Sequence, residues 1–390
     1  MHSSSWTCVG SLGILPLTMP LLKLSIVFAA IILFLSRGWN LGLVLVLASA
    51  GVSLLFEYPL VAGCRDVVSA SVDLLTVRLA LSVVLIMSLS ELLRDTHSLQ
   101  GMVEALRSLI PSGKLVIAAL PSLIGLLPMV GGAMFSAPMV DEVGDQLGLD
   151  RERKTFVNYW FRHIWEYVFP LYPAFMLAAA LMNLETMHLA RAAWPLTAAS
   201  VTGGAVFGLM GISRSPTGES SSAGRLRDLR VLARSIWSVA AVIVLSLTLP
   251  IDERATLIVS LVTTIGLLMR INKIPLIRLG HILRERIAWK TILVVFGALI
   301  FRRVLDNSGA VRDVSEALSG SGVPVTVIAF IVPFVAGLLT GISTGAFSIG
   351  FPVVLPLVAA EGAAVAPDWA AWLMAGGFLG VMCSPVHVCL

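Results

Sequence analysis

The chain has 390 residues, 57% of them hydrophobic and 13% charged, with a mean hydropathy of +0.93. No soluble core needs that share of apolar residues, so the composition excludes a water-soluble domain and indicates an all-α polytopic membrane protein. The net charge of +4 and pI near 9.0 do not point to a nucleic acid partner, because the basic residues sit in short loops between apolar spans.

The N-terminal MHSSSWTCVG has no basic n-region, so a cleaved signal peptide is not expected. Apolar spans read at 20–36, 40–56 and 74–93, and the amphipathic piece SLQGMVEALRSL then lies along the membrane surface. The stretch 114–140 is too long for one crossing and too short for two, and PMVGGAMFSAP in its middle favours a turn. It reads as a re-entrant hairpin. A span at 157–181 is broken by Pro170 and Pro173, and another follows at 190–212.

The hydrophilic SRSPTGESSSAGRLRDLR, residues 213–230, is the expected cytoplasmic linker between two halves. Beyond it come spans at 231–250 and 254–270, a surface piece RINKIPLIRLGHILRERIAWK, and a span at 288–304. A second re-entrant hairpin reads at 323–360, where Thr340, Gly341, Ser343, Thr344, Gly345, Ser348 and Gly350 interrupt an apolar run. A second broken helix reads at 370–390.

The two halves look like copies of one another. Sliding the sequence along itself until Leu93 meets Leu305 also superposes, without a gap, Glu104–Leu106 on Glu316–Leu318, Pro121 on Pro333 and Gly125–Leu127 on Gly337–Leu339. With small insertions Pro138 falls on Pro352 and Pro170 on Pro385. The domains are accordingly a first repeat over 1–212 and a second over 231–390. The second repeat stops inside the counterpart of the 157–181 span, so a chain truncated at Leu390 is expected.

Orientation follows from charge. Returning each hairpin to its own side puts 18 of the 27 Lys and Arg residues on one face, which becomes the cytoplasmic one, with the N-terminus outside. The repeats then have inverted topology, an arrangement typical of secondary transporters.

Three ionisable residues lie inside a span: Arg162, His163 and Glu166. Intramembrane charge is a functional candidate by default, so Glu166 and His163 are expected in ion coupling and Arg162 in countering an anion. The competing reading is a structural Arg162–Glu166 pair at i, i+4. At the hairpin tips, backbone N–H groups and small side chains would bind substrate: Gly131, Gly132 and Ser136 in the first, Ser343, Thr344, Gly345 and Ser348 in the second. Thr340 is a further ion-coupling candidate, since incoming arms end with free carbonyls. The competing reading is close helix packing, as expected for Gly204 and Gly208. Cys8, Cys64, Cys383 and Cys389 form no CxxC or Cys/His cluster by spacing, so neither a metal site nor a redox pair is indicated. Gly341–Gly345 matches GxSxG, but without the strand–turn–helix context of a hydrolase. His387 aligns near Tyr172 and either faces the site or packs.

Two inverted repeats, each with a hairpin and a proline-broken span, resemble the ion transporter superfamily of carboxylate, arsenite and Na+/H+ carriers. LPSLIGLLPMVGGAMFSAPMVDEVG, NYWFRHIWEY and CSPVHVCL are more closely similar to a prokaryotic family within it, domain of unknown function 401. The resemblance implies an elevator-type carrier, a homodimer, whose hairpins and broken helices form the moving part. One departure is plain: carboxylate carriers show Ser-Asn-Thr at both tips, whereas this chain has Val-Gly-Gly and Ile-Ser-Thr. The expected function is therefore a secondary active transporter, not an enzyme, moving a small organic anion of the carboxylate class across the inner membrane. Coupling is to H+ or Na+, with no other cofactor. The alternatives are a cation/proton exchanger on the same fold, or a non-transporting membrane enzyme or partner subunit.

Overall fold

Three side chains show how the chain starts its helices. Asn40 accepts hydrogen bonds from the backbone N–H groups of Gly42 (2.9 Å) and Leu43 (3.3 Å), Asp150 from Arg153 (2.7 Å), and Asp252 from Ala255 (3.2 Å). Each supplies an acceptor to N–H groups that the first turn leaves without an intrahelical partner. In this computed structural model, residues 14–96, 98–126, 132–212, 222–249, 252–319, 322–360, 362–387 and 389 are described.

Among the described residues there are eighteen α-helices and no strand. They begin with α1 (Ile14–Ser36), α2 (Leu41–Leu55), α3 (Leu60–Val72), α4 (Leu74–Asp95) and α5 (Ser98–Leu109). Then come α6 (Gly113–Gly125), α7 (Gly132–Gln146), α8 (Arg151–His163), α9 (Pro173–Leu181) and α10 (Thr186–Gly203), which continues as a π-helical stretch, Gly204–Leu209. Next are α11 (Ser222–Thr248), α12 (Glu253–Ile271) and α13 (Leu276–His281), the last followed by a π-helical stretch, Ile282–Arg286. The remainder are α14 (Trp289–Asn307), α15 (Ala310–Ser319), α16 (Val325–Thr340), α17 (Ser343–Val358) and α18 (Pro367–Met382).

Among the described residues, four helices are long and apolar enough to cross a membrane: Met19–Ser36, Leu74–Asp95, Thr186–Leu209 and Arg225–Thr248. Large apolar side chains also lie on the surface, Val61 and Ile277 being 85% and 86% exposed. Such surface suits lipid better than water. α16 and α17, at 16 residues each, are only about 24 Å long at 1.5 Å per residue, short of the ~30 Å hydrocarbon thickness.

Three elements depart from the expected layout. α3 fills the gap left between the spans ending at 56 and starting at 74; its Arg65, Asp66, Ser69 and Ser71 lower its hydropathy below that of a span. α11 begins at Ser222, so the second half of the expected 213–230 linker is helix, and residues 213–221 lie outside the described ones. The first broken helix opens earlier than its prolines. α8 ends at His163, turns run through 164–172, and Pro173 is the first residue of α9. Pro170 cannot donate to, and clashes with, the carbonyl four residues back, which disfavours helix through the turn ahead of it; the helix already stops at His163.

The order of elements recurs along the chain. α2, α5 and α6 begin at Leu41, Ser98 and Gly113, and α12, α15 and α16 at Glu253, Ala310 and Val325, with one constant interval between the members of each pair. The caps Asn40 and Asp252 keep the same interval.

The chain divides into two compact units. The first contains residues up to Thr76, Leu181–Asn183 and Leu293–Ser384. Its interior is aromatic, with Phe347 packed at 4.7 Å on Phe351 and edge-on at 5.3 Å to Phe378. Gly376 and Gly380 of α18 lie against the carbonyls of Phe330 and Phe334 of α16, a backbone approach that only glycine permits. Polar groups are paired between α3 and α14: buried Asp66 accepts from Tyr58 (2.8 Å) and Asn307 (2.9 Å), and Arg303 bonds Asp73 (2.8 Å).

The second unit holds Val77–Ala180, Leu184–Ile292 and Pro385–Leu390. Val116, Ile117 and Leu120 of α6, Val140 and Val143 of α7, and Val157 and Phe161 of α8 form its core. Gly204 and Gly208 face Trp160 and Phe156 of α8, in keeping with the close packing expected of them.

Candidate functional site

α6 and α7 form a helical pair joined through residues 127–131, which lie outside the described ones; the expected site residue Gly131 is among them. α8 packs on this pair and delivers Arg162 to its end. The Arg162 side chain, 3% exposed, lies across the start of α7: a Cβ on Gly132 would sit 2.5 Å from Nε and 2.7 Å from Nη2. Any side chain at residue 132 would therefore displace the guanidinium. Nη1 of Arg162 donates to the Tyr172 hydroxyl at 2.8 Å, and that hydroxyl donates to the carbonyl of Gly125 at the end of α6.

The helix end and the guanidinium carry charge of the same sign. A helix N-terminus has a partial positive charge, so a buried cation against it is unfavourable until negative charge joins them. The Glu166 carboxylate, brought round by the turn after α8, supplies part of it and lies 3.7 Å from His163 Nε2. α8 stops at His163, so Glu166 lies in the turn beyond it, beside His163 and near enough to Arg162 for their charges to interact. His163 Nδ1 lies 2.6 Å from the carbonyl of Tyr159, which can only accept; Nδ1 therefore carries the proton and Nε2 offers its lone pair.

Ser136, fully buried, donates to Asn158 Oδ1 at 2.5 Å, and Asn158 Nδ2 donates to the carbonyl of Ala133 at 3.0 Å. This ties the first turn of α7 to α8. A cavity of about 700 Å³ opens beside it, lined among others by Ala133, Asp141, Lys154, Asn158 and Cys389. Lys154 bonds Asp141 (2.7 Å) and Asp145 (2.5 Å), and those bonds hold its ammonium above the usual lysine range. The indole of Trp165 donates to the Ser122 carbonyl at 2.9 Å, fixing the turn after α8 to α6.

The segment after α18 returns two further side chains to this unit. The His387 ring is edge-on to His163 at 4.9 Å and to Tyr159 at 5.1 Å. Cys389 joins them: ligand atoms of His163, His387 and Cys389 all lie within 4.8 Å of one another. Spacing along the chain shows no Cys/His cluster; folding makes one.

The first unit carries the other expected residues. Thr340 closes α16 by donating from Oγ1 to the carbonyl of Ala336 (2.7 Å) and lies 3.3 Å from that of Ile342. Gly341 caps α16 at φ +66°, Ile342 is extended, and Ser343 begins α17. The Ile342 carbonyl accepts from the N–H groups of Gly345 and Ala346. Ser343 is buried, Thr344 half-buried and Gly345 buried against Thr340. Ser348, fully buried, reaches the Gly345 carbonyl at 3.4 Å. All five belong to one neutral turn, whereas Gly132, Ser136, Arg162, His163 and Glu166 gather in the second unit around a buried charge.

Sequence reasoning missed Asn158, Tyr172 and Cys389 as site residues. Tyr172 had one available signal, since it sits between the two prolines of the break. The model of a family described as "Protein of unknown function (DUF401)" matches residues 20–390. No curated protein matches the chain.

Proposed function

Because this chain belongs to the DUF401 family, whose description carries no activity, we propose from its site that it is a secondary active transporter of a small organic anion. The observation that carries this reading is the buried Arg162 guanidinium lying against the N-terminal turn of α7. Two positive features aimed at one point recognise an anion, and a carboxylate matches the fork of a guanidinium. Tyr172 orients that fork, the Ser136–Asn158 pair keeps the first turn of α7 in position, and the adjoining cavity gives a solute access.

The wider architecture belongs to the same proposal. α6/α7 and α16/α17 are the re-entrant hairpins of two inverted repeats, and the constant interval between corresponding helix starts supports that reading. The neutral α16/α17 turn, with Thr340, Ser343, Thr344, Gly345 and Ser348, supplies uncharged groups for substrate or for a Na+ ion. Glu166 and His163 link transport to the H+ or Na+ gradient. The protein works as an elevator-type homodimer of the ion transporter superfamily, in the inner membrane with the N-terminus outside.

The test is uptake of labelled small carboxylates into proteoliposomes under an imposed pH or Na+ gradient. Gradient-driven uptake that Arg162→Gln abolishes is expected, with Glu166→Gln losing the response to the gradient. Uptake unchanged in Arg162→Gln would overturn the anion reading, and cation efflux in its place would indicate an exchanger.

A further inference from the structure

We propose that His163, His387 and Cys389 form a binding site for a thiophilic transition-metal ion of the Zn2+ class. The three side chains come from the end of α8 and from the segment after α18, and their ligand atoms lie within 4.8 Å of one another. Two imidazole nitrogens and a thiolate are a zinc donor set, and such soft and borderline ligands discriminate against Mg2+ and Ca2+.

The orientation of the ligands supports the assignment. His163 donates from Nδ1 to the Tyr159 carbonyl at 2.6 Å, which fixes the tautomer that presents Nε2. This is the outer-shell bond that metal-ligating histidines characteristically make. His387 Nδ1 accepts from the Cys389 backbone N–H at 3.0 Å, a bond that keeps ring and thiol side by side and that the metal would replace. Glu166 stands beside the cluster without being one of the three mutually close donors. Its Oε1 lies 3.7 Å from His163 Nε2, which leaves the fourth position of a tetrahedral ion to water.

Charge and access also fit. A divalent ion beside the Arg162 cation would be repelled on its own, but the Cys389 thiolate among its ligands and the Glu166 carboxylate beside His163 offset that charge. Cys389 lines the cavity of about 700 Å³ that also reaches Asn158 and Asp141, so an ion need not cross a packed core. Binding forms an S–metal bond, and the Cys389 thiol proton leaves to solvent. The inference does not depend on anion transport, and its readouts are spectroscopic and chemical.

The experiment adds Co2+ to the full chain purified in detergent. One equivalent is expected to produce visible d–d bands with a near-ultraviolet thiolate charge-transfer band, and Zn2+ to bleach both. Cys389→Ser should remove the charge-transfer band, and His163→Gln should weaken Co2+ binding by at least tenfold, while Cys64→Ser and Cys383→Ser leave the spectrum unchanged. In the unaltered protein, Zn2+ should slow alkylation of Cys389 at least tenfold, followed by mass spectrometry; this arm needs no variant to fold. Failure of Co2+ to give a thiolate band, persistence of that band in Cys389→Ser, or alkylation indifferent to Zn2+ would each overturn the site.

Discussion

The α6/α7 and α16/α17 pairs begin at equivalent points of a recurring helix order and share a proline at the same place in the first helix, Pro121 and Pro333, yet different chemistry lies against them. α16 closes on itself: Gly341 takes a left-handed conformation, Thr340 bonds a carbonyl of its own helix, and α17 starts two residues later. The end of α6/α7 is organised from outside by α8, whose Arg162 lies on Gly132 and whose following turn sends Tyr172 to the Gly125 carbonyl. At the described residues, one pair closes through local backbone conformation and the other holds a buried charge against the start of its second helix. Two helical pairs at the same points of a recurring helix order can thus differ in the charge placed against them.

The largest way to break that contrast is to remove the charge. Arg162→Gln is expected to lower carboxylate uptake by at least 100-fold, about 2.7 kcal/mol, and Arg162→Lys by about tenfold, because an ammonium keeps the charge and loses the planar fork. Proteoliposome uptake over a range of substrate concentrations measures both. Gly132→Val asks the same question without touching the charge. Its Cβ would displace Arg162 from 2.5 Å, so uptake should fall nearly as far as in Arg162→Gln. An equal loss in Gly345→Val, whose Cβ meets Thr340 first and no charged group at the nearest points, would show that both turns work alike.

Tyr172→Phe sharpens the comparison further. It removes the hydroxyl between Arg162 and the Gly125 carbonyl, and the expected loss is about 1 kcal/mol, or five- to tenfold in substrate affinity. Gly341→Ala tests the other pair. At φ +66° a Cβ costs about 1 kcal/mol, so thermal unfolding in detergent should shift downward.

The smallest effect concerns the solvent-facing part of α7. The hydrogen bond from Arg107 holds Glu142 below the usual carboxylate range. A depressed folded value means that the pair stabilises above the ordinary value of 4.5 and that its contribution is lost as pH falls through the lowered one. Glu142→Gln should cost no more than about 0.5 kcal/mol at pH 7, since Glu142 is exposed and Arg107 half-buried, and nothing in strong acid. Melting curves at the two pH values check this.

Much of the fold was legible because helices in an apolar chain announce themselves by hydropathy and by Gly, Pro and Asx residues at their ends. The residues that the sequence singled out as ionisable within a span, Arg162, His163 and Glu166, do gather at one point. The less legible elements were those whose polar residues hide their helical character, as in α3, where Asp66 and Arg65 mask a helix packed against Asn307. The break after α8 was legible in kind but displaced, since the helix stops at His163, upstream of both prolines.

What the sequence determined by itself was therefore local: which stretches are apolar enough to be helices, where they stop, and that their order recurs in the second half of the chain. Those properties depend on neighbours within a few turns, or on comparing one stretch with another. The tertiary structure alone decided the site. His163 stands in the first half of the chain and His387 and Cys389 at its end, and no periodicity or spacing carries information over that interval. Whether Arg162 pairs along its own helix or reaches across to Gly132 and Tyr172 depended on where α8 ends and on what packs against it. A side chain's partners are set by the packing of helices, and packing is a property of surfaces brought together, which no single stretch of chain contains.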